Sequence, residues 1–440
     1  IYLMVYYWVN KNDRAQLFSN SNKLFKKLII GLVLSFIIGF IIALTTWPFG
    51  LQSPISNLLV AFEEMTNRQV DIRVLYDGKY IGSKNTPWQY EFNWIGITNP
   101  IIVIIGALLL LPLFFKANNR YGKHIPFLLI FSILFPILYM VYKNSTLYDT
   151  WRHVFFVYPF IIVSAVLSID IISSFLKQKL QAIPFAIAIL ALLPTMAWTV
   201  KEHPNQYTYF NAFVGGPEGA EGKYDLDYYL VSGKASANWI LQNVPKPTDG
   251  SKIKVYTNME GLEYYFHKDT SWIEYKYKRY YERNESDWDY YITYHRFVSE
   301  STLQQKKWPP KNAVHVERAG GVPIGAVLKQ VSKDAVIATE ALKANDFQKA
   351  ILHYQKYIAL DDSDETTLMN YAIALASIGQ FDPAIEMLNK AIAINGVQSN
   401  FYQILAQIYQ SKGDAENANK AMRKAKSINL QQKKDYMNER

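Results

Sequence analysis

Five apolar runs crowd the first 200 residues of this 440-residue chain: Leu28–Thr46, Ile97–Phe115, Ile125–Val141, His153–Ile172 and Ala182–Val200. Each approaches the roughly 20 residues that a helix needs to cross a hydrocarbon layer. Residues from 201 onward carry most of the Lys, Glu and Asp, so the overall 50% apolar composition averages two unlike halves. The basic residues of the first half cluster between runs. Lys11, Arg14, Lys23, Lys26 and Lys27 precede the first, Lys116, Arg120 and Lys123 separate the second from the third, and Lys177 and Lys179 separate the fourth from the fifth. By the positive-inside rule these loops are cytoplasmic, which puts residues 47–96, 142–152 and everything after 201 on the outer side. The net charge of +9 is therefore read as topology, and no nucleic-acid partner is expected.

The absence of cysteine removes disulfides, cysteine nucleophiles and thiolate metal sites from consideration. Ile1–Val9 reads as the tail of a helix without a basic n-region or cleavage site, so the chain is expected to be the C-terminal part of a longer protein.

The segment between the first two runs is too long for a turn, and long connections tend to be functional. In its first part, Ile55, Leu58, Leu59 and Phe62 recur at helical spacing, which predicts an amphipathic helix over Pro54–Met65 lying on a membrane surface. Its second part, Leu75–Tyr80 and Thr86–Phe92, is rich in aromatics, as an interfacial belt would be. At the mouth of the fourth run stands Tyr148-Asp149-Thr150-Trp151-Arg152-His153. Ionisable side chains at that position are a functional hypothesis by default.

Beyond Val200, the stretch His203–Asn211, Gly215-Gly216-Pro217 and Tyr224–Tyr228 reads as a turn-rich connection. A helix over Lys234–Val244, a strand over Lys252–Tyr256, a short helix over Gly261–His267 and strands over Asp289–Tyr294 and Val322–Lys329 predict a small α/β unit. His267, His295 and His315 stand alone, no metal cluster is formed, and we read the three as structural.

From Lys333 the pattern becomes helical and repeats. Asn345, Gly379 and Gly413 are 34 residues apart, as are Ala350, Ala384 and Ala418, and Ala338, Ala372 and Ala406; Phe347 and Phe381 share the register. A 34-residue helix–turn–helix period with small residues at the close approaches is the tetratricopeptide signature. The fold class expected is thus mainly α: a multi-pass transmembrane helical domain with five complete helices (1–200), a small periplasmic α/β domain (201–332) and a C-terminal tetratricopeptide α-solenoid (333–440).

Three motifs, namely Tyr148–His153, Tyr76–Glu91 with its Pro87-Trp88-Gln89-Tyr90, and His203–Asn211 with Gly215-Gly216, occur in an order that resembles the membrane half of polyprenyl-phosphate-dependent glycosyltransferases of the GT-C type. Within these the chain is most similar to the bacterial branch related to protein O-mannosyltransferases and aminoarabinose transferases. The resemblance spans Ser53–Asp227, about two fifths of the chain. It implies a lipid-linked sugar donor held at the outer membrane face, and a catalytic carboxylate in a first outward loop upstream of Ile1. No catalytic residue is therefore assigned within this chain, and Glu63-Glu64 is read as a solvated face.

A donor of that kind leaves as phosphate, whose developing charge calls for a fixed cation. Arg152 is suited to it because guanidinium stays ionised and holds phosphate oxygens through paired hydrogen bonds. His153 would add a donor and Asp149 would orient one of the two. The alternative is that Arg152 snorkels to headgroups and pairs with Asp149. Tyr80, Trp88 and Tyr90 are candidates for lining the sugar or lipid site, with an aromatic belt as the equal alternative. The expected partners are membrane lipids, the polyprenyl-phosphate-linked sugar and a protein held by the repeats. The expected location is the bacterial inner membrane, with the C-terminal domains in the periplasm or outside. No cofactor or metal is assigned. Two rivals share the location: a membrane-anchored tetratricopeptide scaffold recruiting envelope proteins, and a polysaccharide polymerase or ligase.

Overall fold

The computed structural model describes residues 22–66, 72–122, 124–296 and 298–437, in two units divided near Val70. The expectations placed on Ile1–Val9, Lys11, Arg14 and Lys123 lie outside the described residues. In the first unit α1 (Asn22–Thr45) runs into a one-turn helix α2 (Pro48–Gln52) and then α3 (Ser56–Thr66). The predicted amphipathic helix is thus present as α3, with Leu58, Leu59 and Phe62 exposed. Asn57 ties α3 back to α2 by donating to the Phe49 carbonyl at 2.6 Å.

The second unit begins with a hairpin, β1 (Arg73–Tyr76) and β2 (Lys79–Gly82). Its two-residue turn, Asp77-Gly78, holds both residues at positive φ (50° and 79°), the mirror-image turn whose twist matches paired strands. Hairpin chemistry therefore organises part of what the sequence predicts as an aromatic loop.

The expectation of one continuous helix over Ile97–Phe115 is corrected. The run is cut into α4 (Tyr90–Thr98), α5 (Ile101–Leu109) and α6 (Phe114–Tyr121), with an 80° bend between the last two. Pro100 forces Asn99 into an extended conformation and Pro112 lies in the second break, where a ring that cannot donate interrupts the helical ladder. Among the described residues, three helical stretches are long and apolar enough to cross a membrane by length and composition, or four if the bent pair α5–α6 is one span. The three are α7 (Ile125–Tyr142), a 3-10 turn plus α8 (Arg152–Ser174), and a 3-10 turn plus α9 (Gln178–Lys201). In α1 the apolar stretch is the shorter Ile29–Thr45. α5 and α8 approach closely because Gly106 faces Ala165; a Cβ on Gly106 would lie 2.8 Å from the Ala165 Cβ.

After the short α10 (Gly216–Ala220) and α11 (Val231–Asn243) comes a five-stranded sheet of order β4-β3-β5-β7-β6: β3 (Ile253–Thr257), β4 (Ile273–Tyr277), β5 (Tyr290–Tyr294), β6 (Ala313–Ala319) and β7 (Val322–Lys329). β3 runs parallel to β4 and β5, and β7 antiparallel to β5 and β6. The predicted strands are found, while β4 and β6 were not foreseen. Side chains alternate along β7: Val327 joins Ala237, Ile240 and Val255 on the face covered by α11, whereas Ala326 and Leu328 join Leu75, Trp288 and Leu303 on the other. Leu303 comes from the short α12 (Glu300–Gln304) and Leu75 from the hairpin, so β1 belongs to the core of the α/β unit.

Six helices follow as three antiparallel pairs: α13 (Asp334–Lys343) with α14 (Phe347–Ile358), α15 (Glu365–Ser377) with α16 (Phe381–Ile394), and α17 (Ser399–Lys412) with α18 (Ala415–Met437). Asn345, Gly379 and Gly413 sit between the partners of each pair at φ 60°, 79° and 88°. That left-handed turn explains the spacing, since Gly and Asn are the residues that tolerate it. Ala338, Ala350, Ala372 and Ala384 are fully buried where helices meet.

Candidate functional site

The three motifs converge. Tyr76, Tyr90 and Trp94, Tyr148 and Trp151, and Phe210 and Tyr224 fall in one buried cluster joining the helices to the α/β unit. Asn211 fastens the α4–α5 break, with its side chain donating to the carbonyls of Gly96 and Asn99, both at 2.7 Å. Trp151 donates to Thr98 at 2.9 Å.

Asp149 and Thr150 occupy the left-handed region (φ 55° and 67°) just before the helix mouth. For a β-branched Thr this is a strained state that neighbours must hold in place. The Asp149 carboxylate lies 2.8 Å from Arg296, which follows β5, and 3.4 Å from Arg152. Asp149 and Arg296 are both buried. Asp225 lies within electrostatic reach of both and accepts from the Leu75 amide at 3.0 Å. Burial pushes its carboxyl up to about 6 against the opposing pull of Arg296. His295 is buried and accepts from the Leu226 amide at 2.7 Å, and burial holds its imidazole down to about 3, hence neutral. This fits the structural reading of that histidine.

Arg152 differs from Arg296 in keeping a third of its side chain exposed. Its guanidinium lies 4.4 Å above the Tyr148 ring, and His153 meets that ring edge-on at 4.9 Å. The structure thus brings Asp149, Arg152 and His153 together. Asp149 serves mainly as a counter-ion that fixes both arginines. Tyr80, Trp88 and Tyr90 are not brought together. Tyr90 is buried against Tyr76 and Trp94, Trp88 is exposed beside Phe92, and Tyr80 lies half-buried on β2 under Arg73.

Glu91, next to Tyr90 on α4, is 1% exposed, and neither of its carboxylate oxygens is hydrogen-bonded. Burial raises its carboxyl to about 8, so it is predominantly protonated at neutral pH. Sequence reasoning gave no role to Arg296, Asp225 or Glu91. Glu91 ends one of the three motifs and Asp225 lies in the turn-rich Tyr224–Tyr228 stretch, whereas nothing around Arg296 signals a partner 147 positions upstream.

A second polar contact joins the α/β unit to the repeats. Between β4 and β5, the 3-10 turn Tyr280–Glu285 packs on α13 and α15, the first helices of two neighbouring pairs. There Arg283 lies 3.2 Å from Asp364, both 2% exposed or less, with its guanidinium 4.0 Å above the Tyr280 ring. Asp364 also caps α15 by accepting from the Thr367 amide at 3.0 Å. Nearby, Ser299, Ser301 and Thr302 all donate to the Ile394 carbonyl, at 3.0, 2.7 and 3.3 Å.

Comparison with known proteins bears on the repeats. Residues 341–408 and 399–432 each match a family model described as tetratricopeptide repeat. Protein STIP1 homolog of Dictyostelium discoideum is 32% identical over 101 residues, 21% of this chain and 18% of that protein. Hsp70-Hsp90 organizing protein 1 of Arabidopsis thaliana is 33% identical over 79 residues, 18% of this chain and 14% of that protein. The chain therefore spans less than a fifth of the length of either relative. A crystal structure of MamA aligns at 25% identity with a TM-score of 0.23, covering 23% of this chain and 60% of that one. The C-terminal region of this chain consists of tetratricopeptide repeats.

Proposed function

We propose that this chain is a membrane-anchored tetratricopeptide scaffold that recruits proteins of the cell envelope. The observation that carries the reading is the repeat array fixed to the α/β unit at two contacts, the Arg283–Asp364 pair and the Ser299, Ser301 and Thr302 hydroxyls on the Ile394 carbonyl. The α/β unit in turn rests on the end of α9: the Gly320 amide donates to Glu202 at 3.0 Å, and a Cβ on Gly320 would lie 2.5 Å from Trp198. The exposed apolar surfaces of α7 and α9 are what an anchor in lipid needs, including Phe131, Phe135, Leu190 and Leu193. In this reading the helices form a multi-pass anchor in a bacterial inner membrane, and the α/β unit and repeats stand outside it. The similarity to Hsp70-Hsp90 organizing proteins supports a protein partner. The test is a photo-crosslinking residue at exposed Leu352 or Leu360 of the membrane-bound chain. Discrete protein adducts are expected, and their absence at both positions would reject recruitment through these repeats.

A second reading, transfer of a sugar from a polyprenyl phosphate to an envelope glycan, lipid or protein, is favoured by one observation: Arg152 stays partly exposed at the helix mouth, aimed by Tyr148 and Asp149. In it Arg152 and His153 hold the donor phosphate. Undiminished transfer by the Arg152→Ala chain in its intact protein would reject that role.

A further inference from the structure

The concave side of a helical-repeat array is its usual binding surface. In this chain the row formed by α13 and α15 is covered by the Tyr280–Glu285 turn, and α18 lies beside β2 of the hairpin. We propose that this inner face is a protein-binding groove filled by the chain's own Tyr280–Glu285 turn, which a partner enters by presenting an Arg or Lys beside an aromatic ring and displacing the turn. The inference rests on the reading that the repeats recruit proteins.

The chemistry of the occupant follows from the face. Asp364 and Glu365 are almost wholly enclosed on it. Adjacent buried carboxylates need a cation, because an uncompensated charge away from water is strongly unfavourable. The chain supplies Arg283, whose guanidinium stacks on Tyr280 and donates to the Tyr280 carbonyl at 2.8 Å. What the groove already accepts is therefore a basic head backed by an aromatic ring, here Tyr280, whose other side packs on Tyr291 in the α/β core.

The fit leaves room for a better ligand. Asn284 is buried with neither amide atom hydrogen-bonded, and Asp364 Oδ1, although 3.2 Å from Arg283, receives no aligned hydrogen bond. Unmade bonds of this kind weaken the intramolecular contact relative to a segment that makes them. The turn belongs to the β4–β5 connection and not to a strand, so its release leaves the ladder of the sheet intact.

The experiment uses the full chain in detergent and a fluorescent peptide of residues 278–288. The peptide is expected to bind the Arg283→Ala chain at least tenfold more tightly than the unaltered chain. The same peptide with its Arg283 replaced by Ala, and Arg279 kept, should not bind. Because the chain has no cysteine, Glu285→Cys with Asn370→Cys, positions whose side chains meet at 3.5 Å, provides the sole thiol pair. Bridging it with a short bismaleimide should abolish peptide binding that the unbridged pair retains. Equal binding to bridged and unbridged chains, or binding indifferent to Arg283 of the peptide, would overturn the proposal, as would no binding to an Arg283→Ala chain of unchanged helicity. If Arg283→Ala loses its helical signal, the bridged and unbridged comparison decides alone. Adducts at Leu352 or Leu360 are read separately, so the groove can fail while recruitment stands.

Discussion

At the scale of single residues, the mouth of the fourth apolar run shows how a cluster legible in sequence acquires a different meaning in space. Asp149, Arg152 and His153 are close in the chain, and their proximity needed no structure. What the sequence could not supply was Arg296, which converts Asp149 from a candidate orienting group into the counter-ion of a buried pair. Removing the carboxylate takes from the buried Arg296 its ion-pair partner and leaves Asp225 as the remaining counter-charge, so Asp149→Ala should cost about 3 kcal/mol of stability, the low end for breaking a buried pair. Arg152→Ala, at a partly exposed pair, should cost less than about 1 kcal/mol. Thermal unfolding of the two variants side by side checks the contrast.

Glu91 gives a pH prediction. Its folded-state carboxyl is raised to about 8 from an ordinary 4.5, so the folded chain holds a proton that the unfolded chain releases. Stability from this group is fully present below about 4.5 and is lost as pH rises toward 8, with a slope of at most about 1.4 kcal/mol per pH unit. Asp225 and Glu365, raised to about 6 and about 7 by burial, act in the same direction at lower pH. Glu91→Gln should therefore flatten the decline from about pH 5 to 8, and the interval between pH 7 and 8 isolates it best because Asp225 and Glu365 act at lower pH. An unaltered slope in melting temperature over that interval would contradict the assignment.

Among the elements, the repeats were the most readable because their constraint is local and periodic. A left-handed residue is needed between the two helices of each pair, and Asn345, Gly379 and Gly413 announce it. Gly379→Ala should destabilise the array by about 1 kcal/mol, because a Cβ at positive φ is strained. Ala384→Leu should cost about 1–3 kcal/mol by overpacking a fully enclosed site. Both are measurable by denaturant unfolding followed through far-UV dichroism. The second apolar run was harder, since hydropathy counts apolar residues and overlooks what Pro100 and Pro112 do to the backbone. Proline alone does not decide the matter: Pro136 and Pro194 lie inside the unbroken α7 and α9. The tertiary clamp from Asn211, which receives the break at Pro100, is a contact across more than 110 residues and leaves no local trace. The hairpin was legible in principle through Asp77-Gly78, but its apolar strand neighbours looked like a membrane-edge belt.

For the whole molecule, the described residues from 72 onward combine apolar helices, an α/β unit and a repeat array through polar contacts at each junction, part-buried at the first and buried at the second. Glu202 and Gly320 join the first two, and Arg283 and Asp364 the last two. This continuity holds the repeats at a fixed place on the α/β unit, in contrast to repeats swinging on a flexible tether, and in the proposed reading recruitment takes place there. The most direct measurement is photo-crosslinking at Leu352 and Leu360 in membranes first washed at alkaline pH. The account predicts that the chain stays in the pellet and carries discrete protein adducts there. It is contradicted if the chain is released by the wash, or if the pelleted chain carries no adducts and instead transfers sugar from a polyprenyl phosphate in an Arg152-dependent way.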